Sequence, residues 1–219
     1  MEKIKNQIAS ALNRFGVSAN FLTVLGLFFA LVSAAFIYRR QFFWAGTALL
    51  ISGALDLLDG AVARAAGNAG NFGGVLDSSL DRYGDGVILG ALVVHFAAMG
   101  RIVYATLALS ALVGSFAISY VRARAECEVE SCRIGFWERG ERLVYLALGL
   151  LLCSPHTAVL VLGTVTHITV FQRIRLSKRL LTGGVPAKPT FAVDRGSLGY
   201  WAQAFFWIFF LIFSRLNLR

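Results

Sequence analysis

The chain has 219 residues, 57 % of them hydrophobic and 15 % charged, with a mean hydropathy of +0.68 and a formal net charge of +9. Such a composition is too apolar for an ordinary soluble domain and points to an integral membrane protein. At roughly 20 apolar residues per span, this length holds about six helices with short connections and leaves no room for a second folded domain.

The first stretch, residues 1–15, mixes Lys3, Lys5 and Arg14 with Ile4, Ile8 and Leu12 and lacks a continuous apolar run. It does not read as a cleavable signal peptide, and residues 1–17 are expected to form an interfacial amphipathic helix. Six spans follow, at residues 21–38, 42 to about 64, 75–99, 102 to about 122, 143–153 and 158–171. The fifth is short and is expected to begin earlier. One side of this layout takes most of the cations, from Lys3, Lys5, Arg14 and Arg64 through Arg82, Arg122, Arg124 and Arg142 to Arg195, whereas the other takes Arg39, Arg40 and Arg101. By the positive-inside rule, both termini and the acidic cluster described below face the cytoplasm of a multi-pass cell-membrane protein. The positive charge then faces anionic headgroups, not nucleic acid. Residues 177–219 form a cytoplasmic tail, in which the aromatic-rich stretch 198–213 is short for a span and reads as an interfacial or partner-contacting helix. The expected fold class is therefore an all-α integral membrane protein with six transmembrane helices and an N-terminal interfacial helix.

The junction between the second and third spans carries the chemistry. Asp56, Asp59, Gly60, Ala63 and Arg64 read DxxDGxxAR, and Gly73, Asp77 and Asp81 read GxxxDxxxD after a bend rich in glycine and asparagine. A charged side chain costs about 2.5 to 3.5 kcal/mol at the centre of a membrane helix on insertion scales, so four carboxylates at a membrane boundary require compensating cations. Asp56 and Asp59 at i, i+3, and Asp77 and Asp81 at i, i+4, each share one helix face. Two such helices facing each other can surround a pair of metals about 3.5 to 4 Å apart. Oxygen ligands alone suit Mg²⁺ or Mn²⁺, and ions of this kind act on phosphates, so displacement at phosphorus is the expected reaction. Gly60 and Gly73 let a ligand approach the backbone, and Arg64, one turn beyond Gly60, suits a phosphate clamp.

The segment from Asp56 to Asp81 resembles the signature of the CDP-alcohol phosphotransferase (CDP-alcohol phosphatidyltransferase) family at every fixed position. The resemblance implies a six-helix membrane enzyme, usually a homodimer, that displaces CMP from a CDP-linked lipid with an alcohol. Asp56, Asp59, Asp77 and Asp81 would hold two metal ions, and Asp81 would also deprotonate the incoming hydroxyl. Gly60, Ala63, Arg64 and Gly73 would line the cytidine diphosphate site. Asn20 and Thr23, in SANFLT, resemble the family's other segment that contacts the nucleotide.

The acceptor side lies in SYVRARAE, residues 119–126, and in ERGER, residues 138–142, where Arg122, Arg124, Arg133, Arg139 and Arg142 converge. Fixed guanidinium groups, with Arg173 as a further one, suit an acceptor that brings its own phosphate. An RARAE segment followed by ERxER resembles the branch that transfers the phosphatidyl group to inositol phosphate, with Ser119, Arg122, Arg124, Arg142 and Arg173 at acceptor-pocket positions. The similarity covers about residues 18–176. It implies transfer from CDP-diacylglycerol or CDP-archaeol to inositol phosphate. Glycerol 3-phosphate is the alternative acceptor, and a divalent-cation transporter is a distant alternative of another class. Cys127 and Cys132 in CEVESC read as a reduced pair with a poor zinc signal, and His95, His156 and His167 read as structural.

Overall fold

The computed structural model describes residues 11, 16–65, 71–128 and 137–182, and among these the chain is helical throughout. Six helices follow in order: α1 (Ala19–Tyr38), α2 (Phe42–Ala65), α3 (Asn71–Ala98), α4 (Ile102–Ala125), α5 (Arg139–Leu151) and α6 (Pro155–Leu181). The expected interfacial helix at 1–17 lies almost entirely outside the described residues. The apolar stretch 198–213, Cys132 and Arg133 lie outside them as well.

Local chemistry sets the helix ends. The Ser18 hydroxyl accepts from the Phe21 amide at 3.2 Å and so starts α1, since a serine cap satisfies one of the orphan amides of the first turn. A capping box between Glu138 and Glu141 starts α5, four residues ahead of its apolar run, and Pro155 at the start of α6 has the fixed φ of a helix opening. The turns at 39–41, 99–101 and 152–154 each hold one residue at positive φ: Arg40 (61°), Gly100 (72°) and Cys153 (52°). A left-handed residue just beyond a helix ends it sharply, at least cost where that residue is glycine.

The packed pairs make a closed ring: α1 against α2 and α3, α2 against α5, α5 against α6, α6 against α4, and α4 against α3. Apolar transfer does not drive helices together in lipid, so close packing and interhelical hydrogen bonds must do it. Gly46 of α2 and Gly163 of α6 show the closeness, because a Cβ on either would lie 2.7 Å from the Leu151 amide or 2.6 Å from the Leu107 carbonyl. Ser33 and Ser52 donate from α1 and α2 to the carbonyls of Ala45 and Gly26, each at 2.8 Å, and Ser110 of α4 reaches Gly163 of α6 at 2.8 Å. Large apolar side chains such as Phe28, Leu31, Val94, Val113 and Phe171 point outward, where lipid can solvate them.

Four helices, α1, α2, α4 and α6, are long and apolar enough to cross a membrane. The other two of the expected six are not of that kind, for separate reasons. Helix α3 carries Asp77, Asp81, Arg82 and Asp85, and α5 has only 13 residues. Several apolar helices in one bundle make this a multi-pass membrane protein.

Candidate metal and nucleotide site

Helices α2 and α3, which bring the signature aspartates, are not among the closely packed pairs; both lean on α1. The gap between them is the site. Oxygens of Asp56, Asp59 and Asp77 lie within 4.8 Å of one another. Asp59 is buried, with 5 % of its surface exposed, and the Thr23 hydroxyl donates to its Oδ2 at 2.8 Å. Thr23, an expected nucleotide contact, thus sits against a signature aspartate. Asp77 Oδ1 is buried and has no hydrogen-bond partner. A buried carboxylate oxygen left without a donor is costly, and three converging carboxylates repel one another; a hard divalent cation answers both demands. The residues present fit such an ion.

Asp81 is held differently. Arg139, at the first turn of α5, donates from Nη1 to Asp56 Oδ2 at 2.5 Å, its Nη2 forms an ion pair with Asp81 Oδ1 at 2.8 Å, and its Nε lies 4.0 Å from Asp85 Oδ1. Asp85 in turn meets Arg142 Nη2 at 3.4 Å. Asp81 and Asp85, which continue the i, i+4 spacing of Asp77 along α3, therefore meet two arginines of α5. Asp85 was not among the expected site residues, although its place one turn beyond Asp81 was the available signal. Arg139 was expected only among the converging cations, because nothing in spacing reveals a contact across 83 positions.

Beside the carboxylates lies a cavity of about 910 Å³ lined by residues of α1, α2 and α3. It collects every residue expected at the nucleotide: Asn20, Thr23, Gly60, Ala63, Arg64 and Gly73. Gly74, Ser78, Arg82 and Tyr83 also line it and were not singled out in the sequence. Arg82 folds back on its own helix, donating from Nη1 to the Ser78 carbonyl. A Cβ at Gly60 or Gly73 would meet only Arg64 Nη1 at 3.5 Å or Asn20 Oδ1 at 3.6 Å, and at Gly74 nothing within 4 Å. These three glycines border open volume, unlike the closely packed Gly46 and Gly163.

The arginines expected on the acceptor side divide in two. Arg122 and Arg124 pair along α4 with Glu126 at 3.0 Å and Glu128 at 2.9 Å. Arg142 and Arg173 are buried, 5 % and 2 % exposed. Arg142 donates to the Trp137 carbonyl at 3.0 Å, and Arg173 of α6 donates to the Ile118 carbonyl at 2.8 Å, beside half-buried Ser119. Elsewhere, His156 Nε2 lies 3.0 Å from Arg101 Nη1 and His167 Nε2 lies 2.9 Å from the Ser110 hydroxyl, and Cys127 and Cys153 are free thiols.

Residues 16–172 match the family model described as CDP-alcohol phosphatidyltransferase. The chain belongs to that family. It is accordingly a transferase enzyme of phospholipid synthesis. Among its relatives, the archaetidylinositol phosphate synthase of Pyrococcus horikoshii is 34 % identical over 84 % of this chain and 94 % of its own length. The phosphatidylinositol phosphate synthase of Mycobacteroides abscessus is 38 % identical over 78 % of this chain and 82 % of its own. The crystal structure of Mycobacterium tuberculosis phosphatidylinositol phosphate synthase with CDP-DAG bound has a TM-score of 0.73 at 28 % identity, covering 90 % of this chain and 100 % of that one. The same enzyme in complex with manganese and citrate matches at a TM-score of 0.73 and 28 % identity, covering 88 % and 93 % of the two chains.

Proposed function

We propose that this enzyme transfers the phosphatidyl group, or an equivalent lipid phosphate, from a CDP-linked lipid to a hydroxyl of inositol phosphate and releases CMP. The observation that carries the reading is the meeting, at one end of the bundle, of a three-carboxylate group, a cavity of about 910 Å³ and buried arginines. Relatives that are named for inositol phosphate products support the acceptor, and the neighbour that binds CDP-DAG supports the donor.

In this reading Asp56, Asp59, Asp77 and Asp81 hold two ions, Mg²⁺ or Mn²⁺, which when bound neutralise the pyrophosphate and make CMP a better leaving group. Asn20, Thr23, Gly60, Ala63, Arg64 and Gly73 hold the cytidine diphosphate. Ser119, Arg122, Arg124, Arg142 and Arg173 hold the phosphate of the acceptor. Asp81 takes the proton of the attacking hydroxyl. The acceptor oxygen then bonds to the lipid-bearing phosphorus as the bond from that phosphorus to the CMP oxygen breaks, and Arg64 stabilises charge that develops on the phosphate oxygens. The molecule would work as a homodimer whose six helices, in residues 18–176, all enter the membrane, with the site at the cytoplasmic face.

The test is CMP release by purified protein supplied with CDP-diacylglycerol, Mg²⁺ or Mn²⁺ and one acceptor at a time: inositol phosphate, glycerol 3-phosphate, serine or inositol. Release with inositol phosphate alone is expected. Release with glycerol 3-phosphate alone would keep the metal site and replace the acceptor.

A further inference from the structure

We propose that Arg139 is a positioning residue for the metal-binding carboxylates, tying Asp56 of α2 to Asp81 of α3 so that Asp56 presents its remaining oxygen to the ions and Asp81 presents its own to the ions and the attacking hydroxyl. The inference rests on the metal reading given above. Helices α2 and α3 are not packed closely on each other, so their carboxylates need a cross-tie if their separation is to be fixed. The guanidinium of Arg139 supplies one from a third helix, with Nη1 on Asp56 Oδ2 at 2.5 Å and Nη2 on Asp81 Oδ1 at 2.8 Å. A planar fork with two donors sets both distance and orientation, which a flexible ammonium cannot do.

The arrangement repeats elsewhere in the cluster. Asp59 is held by one oxygen too, through the Thr23 hydroxyl at 2.8 Å, whereas the unpartnered oxygen of Asp77 is buried. Three of the four signature aspartates thus have one oxygen held by a protein group, the pattern by which outer partners orient metal-binding carboxylates. Arg139 is itself anchored. It opens α5 inside the Glu138–Glu141 capping box, where the Glu138 amide donates to Glu141 Oε2 at 2.9 Å.

A cation among metal ligands has a second possible consequence with the opposite sign. If the guanidinium acted only as a charge, it would repel the ions, and its removal would tighten their binding. The experiment is a Mn²⁺ titration, followed by electron paramagnetic resonance, of the detergent-purified full chain as wild type, Arg139→Gln and Arg139→Lys, with helical circular dichroism recorded for each. Loss of the tie weakens Mn²⁺ binding about 10- to 100-fold in both variants, because lysine keeps the charge and loses the fork. Arg139→Lys is the variant that decides if Arg139→Gln does not fold. Binding in Arg139→Lys equal to wild type, or binding in Arg139→Gln as tight as or tighter than wild type, would overturn the assignment. A wild-type protein that binds no Mn²⁺ removes the metal reading itself, a separate and distinguishable outcome.

Discussion

Where α1, α2 and α3 face the cavity, glycines and short side chains leave about 910 Å³ open, whereas Arg142 of α5 and Arg173 of α6 are buried and already bonded. The open side can take a large ligand without moving the backbone. The closed side must exchange contacts: for Arg142 to reach a phosphate, it gives up all or part of its 3.4 Å contact with Asp85 or its bond to the Trp137 carbonyl. In the proposed reading the two halves would discriminate by different means, the first by shape and the second by what replaces an existing bond. A buried guanidinium left without its partner is strongly unfavourable, so only a ligand bringing its own negative charge compensates.

Substitutions that separate the halves can be ranked. The largest effect is expected for Asp81→Asn, which removes the proton acceptor: CMP release falls by about 10²- to 10⁴-fold, while CDP-lipid binding, followed by equilibrium dialysis, persists. Wild-type turnover in that variant would take the base away from Asp81. Next comes Arg142→Gln, which leaves Asp85 short of a buried cation. Breaking one side of such a pair costs about 3 to 5 kcal/mol, so thermal unfolding in detergent moves down sharply, and the KM for the acceptor rises while that for the CDP-lipid holds. Equal changes in both KM values would erase the distinction between the halves.

A smaller change is expected from Gly74→Leu, which places a side chain in the cavity, since nothing lies within 4 Å of a Cβ there. The KM for CDP-lipid should rise about tenfold, equivalent to about 1.4 kcal/mol, with melting temperature and acceptor KM unchanged. The smallest effect on stability belongs to Arg124→Gln, because its bond to Glu128 is solvent-exposed and exposed pairs contribute little. The melting temperature should not move. A raised KM for inositol phosphate in that folded variant would place Arg124 with the acceptor, and an unchanged one would leave the task to the buried arginines.

Much of this architecture was legible in the sequence because it is local. Apolar runs gave α1, α2 and α4 nearly to their ends, and the spacing of Asp56, Asp59, Asp77 and Asp81 already put pairs of carboxylates on common faces. Helix ends differ where polar sequence continues a helix beyond its apolar run: α3 begins at Asn71, α5 at Arg139 under its capping box, and α6 runs on to Leu181 through QRIRLSKRLL. What spacing could not show is contact between distant segments. The reach of Arg139 to Asp56 and Asp81, the Arg142–Asp85 pair, and the burial of Arg173 under the Ile118 carbonyl all depend on the order in which the helices close the ring. The division of the arginines into exposed and buried sets follows from the same closure, and composition carries no trace of it.

The central claim is tested most directly by following both products at once: CMP and the lipid formed by wild-type enzyme from CDP-diacylglycerol and inositol phosphate with Mn²⁺, the lipid identified by mass spectrometry. The account predicts one phosphatidylinositol phosphate per CMP, with neither formed when the acceptor or the metal is omitted. CMP released without a phosphorylated inositol lipid, or no CMP with this donor or with CDP-archaeol, would contradict it.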